Sequence, residues 1–328
     1  MSAEAIERFE CFGTNCVVLV SGDGPAGTAA QAAALARRRL YEWHGQFSRF
    51  LPASELSALN HDPREVVEIS PLMGRLARSI GEAGRLSGGL VDGTLLEQIE
   101  AAGYLGDLGG SLALERALAL APPRRPAGTA PSARWRTLQI DPLAGTLRRP
   151  PGVMLDSGGL AKGMFADVLG EELAGHAGYA VNCGGDLLVG GAAGIERPIE
   201  VESPFDGSIV HVFRERGAGV ATSGIGRRSW IGPDGRPAHH LLDPATGRPA
   251  FTGIVQVTAL APTALLAEIR AKAAVLAGPR AARHWLPQGG VIFYDDGSHA
   301  VIDRSPVLSI GRDARGRARV RGPVLQRA

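Results

Sequence analysis

An α+β fold is what this 328-residue sequence predicts. Apolar residues make up 45% and charged residues 21%, the balance of a folded chain with a substantial core. Strand-like and helix-like segments come in blocks rather than in strict alternation, which favours α+β over a doubly wound sheet. Apolar strands also run into glycine pairs, at Gly158–Gly159 and Gly184–Gly185, where the backbone can turn tightly.

Composition also excludes function classes. A formal charge of +2 provides no broad field to gather nucleic acid, and 5% aromatic residues do not suggest a single-strand stacking platform. The first twenty residues open acidic and contain only a short apolar run, Cys16 to Val20, so neither a leader nor a membrane span is expected. Cys11, Cys16 and Cys183 form no CxxC pair and no metal-ligand spacing. They read as buried apolar residues in a reducing, cytoplasmic setting.

The elements follow in order. A first strand is expected near Cys16 to Ser21, then a helix over Ala26 to Phe47 from its apolar spacing. Ser54 is a candidate N-cap, with Glu55 in the first turn of a short helix ending near Asn60. A helix over Pro71 to Leu86 stops at Gly88 and Gly89. The Pro-, Ala- and Arg-rich stretch from Ala121 to Arg136 reads as a surface loop, followed by a hairpin from Thr137. Glycine-punctuated strands run to Ala261, then helices over Thr263 to Ala277 and Pro279 to Trp285, and closing strands. After Ile310 come six arginines and one aspartate, a segment expected to be a solvated terminus, with a nucleic-acid or lipid-binding arm as the minor reading.

The chemistry-bearing signal starts from lysine usage: only Lys162 and Lys272 are lysines among 35 basic residues. Lys162 lies in DSGGLAKG, after a glycine pair and inside the first turn of an expected helix, where a cation opposes the helix dipole. Either a bound anion at the helix start justifies it, or it is a solvated side chain. The segment is neither a P-loop nor a GxGxxG fingerprint, and GIGRRS at Gly224 to Ser229 is discounted as a dinucleotide site. Lys272 follows Glu268 by four residues, the spacing of a surface ion pair stabilising by roughly 0.2–0.5 kcal/mol. Of His239 and His240, neighbours in a strand, at most one should face a common site.

Taken in order, FGTNC, FSRFLPASELSALN, VDGT, DSGGLAKG, VNCGGD, ATSG and HHLLDPATGRP resemble the ApbE family of FAD:protein FMN transferases. The resemblance implies one large ApbE-like domain over residues 1–311, with a mixed, mostly antiparallel sheet and packed helices, ahead of an Arg-rich tail at 312–328. It implies FAD as substrate, magnesium as metal, and transfer of FMN to a Ser or Thr hydroxyl of an acceptor carrying an FMN-binding domain, with AMP leaving. Such an acceptor could be a membrane protein met at its cytoplasmic face. On this resemblance Asp92, Thr94, Gly158, Gly159, Lys162 and Met164 belong to the flavin pocket, with Thr14 and Ser54 as further candidates. His240 matches the histidine associated with catalysis, either accepting a proton or orienting phosphate, and Lys162 meets the pyrophosphate. The carbonyl of Ala161 matches a metal ligand. One position departs: where the family commonly reads A-D-x-x-x-T, with Asp and Thr on magnesium, this chain has Ala267, Glu268 and Lys272. The alternatives are an FAD pyrophosphatase, in which water replaces the hydroxyl, or, through that departure, a flavin-binding protein without the chemistry.

Overall fold

The computed structural model describes residues 4–106 and 110–304, together with the backbone of 309–312 and 318–321. The scaffold is one eight-stranded sheet of β1 (Glu4–Cys11), β2 (Thr14–Ser21), β3 (Gly178–Cys183), β4 (Asp186–Gly190), β5 (Ala218–Gly224), β6 (Ile254–Ala261), β7 (Gly290–Tyr294) and β8 (His299–Ile302). Strand order follows chain order, and every neighbouring pair is antiparallel. The α+β expectation holds, and segregation of helices explains it. Between β2 and β3 the chain inserts α1 (Ala29–Phe47), α2 (Glu55–His61), α3 (Pro71–Leu86), α4 (Leu96–Ala101), α5 (Leu114–Leu120) and α6 (Ala161–Leu173), whereas α7 (Ala264–Ala277) joins β6 to β7.

Strand alternation sets the core. Cys16, Val18 and Val20 of β2 and Val181 and Cys183 of β3 point to one face, where Leu40, Phe47, Phe165 and Leu169 cover them. Along that face α1 packs on β1 and β2, α6 on β3 and β4, and α7 on β5 and β6. A second cluster joins α7 to β6, β7 and β8 through Val257, Val275, Phe293 and Ile302.

Local chemistry explains the helix boundaries. α1 begins three residues later than expected because Thr28 and Gln31 form a capping box. α3 has the expected bounds: Ser70 accepts from Met73 N–H at 3.1 Å, and after Leu86 the Gly89 N–H reaches back to Gly84 O at 2.7 Å. The hairpin expected from Thr137 forms as Gln139–Asp141 with Thr146–Arg148, joined by Val66–Glu68 as a third strand. Pro279 to Trp285, expected as a helix, forms only a 3₁₀ turn over Ala282–Trp285.

Strand β1 was not anticipated, since its alternating charges mark a sheet edge rather than a core strand. It meets β2 through a two-residue turn with φ of 56° at Phe12 and 65° at Gly13, the left-handed pair such hairpins require. The tail at 312–328 lies outside the described residues, except that the backbone of Ala318–Arg321 pairs with Ser309–Arg312. Among the described residues, no helix is long and apolar enough to cross a membrane.

Candidate active site

In this meander, β2 and β4 start, and β3 and β5 end, at the same end of the sheet. The start of α6 opens there too, and between them lies a cleft of about 1440 Å³. Its lining includes Thr14, Asp92, Gly158, Gly159, Ala161, Lys162, His240 and Lys272, so residues far apart in sequence converge on one cleft. Gly184, φ 69°, shows why the turn after β3 needs glycine: a Cβ there would sit 2.1 Å from Thr14 Cγ2.

The centre is a buried charge cluster. The Lys162 ammonium binds Asp186 Oδ2 and stands 4.0 Å from Glu268 Oε1; Lys272 Nζ lies 2.8 Å from that same oxygen. Asp186 and Glu268 are 1% and 0% exposed. Neither reading of Lys162 anticipated its main partner, a carboxylate of its own chain at the start of β4. Burial acts to lower the Lys162 pKa, but Asp186 and Glu268 outweigh it and hold the pKa above the ordinary value. Burial, with the Asp186 charge, pushes Glu268 up.

The surface reading of Glu268 and Lys272 is overturned. α7 is apolar around most of its circumference because it is wedged between the sheet and α6, so both residues are buried. The site also joins the two helices by their caps. Leu160 provides no side-chain cap for α6; Glu268 Oε2 instead accepts from Gly163 N–H at 3.0 Å. In return, Asp167 of α6 accepts from Ala264 and Leu265 N–H, at 2.7 and 3.0 Å, at the start of α7. A Cβ on Gly163 would lie 2.8 Å from Glu268 Oε2 and 2.9 Å from Ala264 backbone, so glycine permits the approach.

Three further candidates are placed behind the wall rather than on it. Ser54 is the N-cap expected of it: its Oγ accepts from Ser57 N–H at 3.0 Å and donates to Ser48 O at 2.7 Å. Met164, 3% exposed, packs in the core beneath α6. Thr94, 2% exposed, directs its N–H and hydroxyl to Asp92 Oδ1 at 2.9 and 2.6 Å. It therefore positions Asp92, which does border the cleft and whose pKa burial raises. Gly158 N–H binds Asp156 Oδ1 at 3.0 Å, shaping the turn into α6.

The two histidines divide: His239 ends the short strand Pro237–His239, and His240 lies in the bend just beyond it. His239, 1% exposed, packs edge-on against Phe251 and is pushed down to about 3 by burial. His240 faces the cleft, and its Nδ1 has no hydrogen-bond partner. Burial first, and then the positive charges of Arg228 and Lys272, hold its pKa well below the usual histidine value. A neutral imidazole bordering the cleft is equipped to accept a proton. Sequence reasoning missed Arg228 and Asp186. The former lies in the discounted GIGRRS, and the latter follows the Gly184–Gly185 pair; both motifs were in view without a role attached.

The donor set does not suit a divalent cation as the family pattern would place it. Both Glu268 oxygens are engaged, one by Lys272 and one by Gly163 N–H. Ala161 opens α6, so its carbonyl belongs to the helical ladder. Unit charges about 4 Å apart interact by roughly 4 kcal/mol at an effective dielectric near 20. The repulsion between a divalent ion and a neighbouring ammonium is about twice that. Among the described residues, no group of three or more His, Cys, Asp or Glu side chains could hold a metal.

Fold and site together define an α+β protein with a cleft walled by Lys162, Lys272 and Arg228 and larger than the ~300–1,000 Å³ usual for drug-sized ligands. The chain matches the ApbE family over residues 12–293 and belongs to that family. It is 32% identical over 150 residues to the FAD:protein FMN transferase of Escherichia coli K12, covering 44% of this chain and 42% of that protein. It is 31% identical over 150 residues to the enzyme of the same name from Klebsiella pneumoniae, covering 44% and 43%. The chain thus spans less than half the length of these curated relatives. Structural likeness runs further. The Thermotoga maritima ApbE protein superposes with a TM-score of 0.73 at 22% identity, over 92% of this chain and 97% of that one. Vibrio cholerae flavin transferase ApbE gives 0.68 at 20%, over 92% and 98%.

Proposed function

We propose that this protein transfers the FMN part of FAD to a Ser or Thr hydroxyl of an acceptor protein, releasing AMP. The observation that carries the reading is the convergence of Lys162, Lys272 and His240 on one cleft at the start of α6, in a chain of the ApbE family. FAD would lie with its pyrophosphate toward the two ammonium groups and its flavin toward Asp92 and Thr14. The acceptor oxygen attacks the FMN phosphorus, a new P–O bond forms, and the bond to the bridging oxygen breaks as AMP departs. His240 takes the hydroxyl proton, and the lysines stabilise charge building on the bridging oxygen. Such a reaction needs little else from the protein beyond positioning and charge. The acceptor proposed is a protein carrying an FMN-binding domain, met in the cytoplasm or at a cytoplasmic membrane face.

The test is incubation of the purified chain with FAD and an FMN-binding-domain protein, following AMP by chromatography and acceptor mass by spectrometry. AMP together with an FMN-sized mass gain is the expected result. AMP with an unmodified acceptor would replace the transferase by an FAD pyrophosphatase, and tight FAD binding without AMP would leave only a flavin-binding protein.

A further inference from the structure

The mismatch between this charge cluster and a divalent cation has a chemical consequence. We infer that the Lys272 ammonium, seated on Glu268 at the cleft wall, supplies the positive charge that a metal would bring to the pyrophosphate, so that FAD cleavage here needs no divalent cation. The inference rests on the flavin-transfer reading and deepens it by assigning a further catalytic residue.

Four observations carry it. The two ammonium groups and the two carboxylates, Lys162 and Lys272 with Asp186 and Glu268, balance one for one, so the buried cluster is neutral without a metal. A cation entering at Glu268 must displace the 2.8 Å bond to Lys272 from one oxygen or the 3.0 Å bond that closes α6 from the other. Lys272 Nζ carries three donors, and among the described residues Glu268 engages one of them. The remaining donors are available to phosphate oxygens, because Lys272 borders the cleft. Finally, a compact ammonium suits a single phosphate oxygen better than a guanidinium does, and this position carries lysine in a chain that otherwise relies on arginine.

Group by group, Lys272 takes over charge neutralisation only. The bonds made and broken, and the proton passed to His240, are those of the transfer step above.

The experiment measures AMP formation from FAD in the presence of an FMN-binding-domain acceptor, in excess EDTA and in magnesium, alongside Mn2+ uptake by electron paramagnetic resonance with FAD present. Expected are equal rates in both media and no Mn2+ bound by the wild-type chain. Lys272→Gln, which keeps a donor for Glu268 but removes the charge, should lose about 10²-fold in rate in EDTA. Its melting curve reports whether the fold is kept. Should that variant unfold, Glu268→Asp combined with Lys272→Thr serves as the second variant, and it should acquire Mn2+ binding and a magnesium-dependent rate. Stoichiometric Mn2+ on the wild-type chain, or loss of AMP formation in EDTA, overturns the inference while leaving the transferase reading intact. No AMP in either medium overturns both.

Discussion

Lys162 of α6 and Lys272 of α7 approach the same oxygen, Glu268 Oε1, at 4.0 and 2.8 Å. Lys162 also holds Asp186, so its loss should act on stability and on chemistry separately. Lys162→Met leaves Asp186 buried and unpaired, and urea unfolding should register a loss of about 3–5 kcal/mol. Adding Asp186→Asn should recover most of that stability while AMP formation stays depressed by about 10²–10³. If the pair recovers both, Lys162 is a structural residue only.

His240 and His239 should separate in the opposite sense. His240→Ala is expected to lower the rate of AMP formation by about 10²–10⁴ with FAD affinity, measured by fluorescence quenching, little changed. His239→Ala removes a packed ring beside Phe251, and its effect should appear as about 1–3 kcal/mol of lost stability. A variant pair with these signatures exchanged would reverse the assignment of the two faces.

The pH profile follows from the surroundings of His240. Because burial and neighbouring cations depress its pKa, the imidazole stays neutral at pH values where a free histidine is already protonated. The acid limb of kcat/KM for AMP formation should therefore fall below pH 6.5, and in Arg228→Ala, which removes one of those cations, it should move upward. An acid limb above pH 6.5 in the wild-type chain would falsify the assignment of His240 as proton acceptor.

Asp167 offers a linkage test. Burial raises its pKa from 3.8 to about 6. The folded state therefore binds the proton more tightly than the unfolded state. The stability this contributes is fully present below pH 3.8 and is lost as pH rises through 6. Asp167→Asn cannot ionise, so its urea midpoint relative to wild type should rise between pH 4.5 and pH 7. A difference independent of pH would mean that the carboxylate is not perturbed.

Much of this was legible in the sequence because local rules and tertiary structure agree. Gly88 and Gly89 marked the end of α3, at most one of His239 and His240 was expected at the site, and the DSGGLAKG turn led into α6 as expected. Other features depended on packing. Nothing local distinguishes a buried Glu268–Lys272 pair from a surface one, since the i,i+4 spacing is identical and only the position of α7 beneath the sheet removes it from water. Met164 was assigned to the pocket from the motif, yet it lies two positions along the helix from Lys162 and turns into the core. β1 was hidden by Glu and Arg residues that protect an edge, and α4 and α5 are too short to show a period.

The exchanged caps of α6 and α7 bear on how the protein breathes. Each helix start is held by a carboxylate from the other, across about a hundred residues of chain. Neither start can fray alone without exposing the other's amides, so the two should open together as one cooperative unit. Amide hydrogen exchange at Gly163, Ala264 and Leu265 should then share one opening free energy. The charged cluster belongs to that unit, so the cleft stays assembled whenever these helices remain docked.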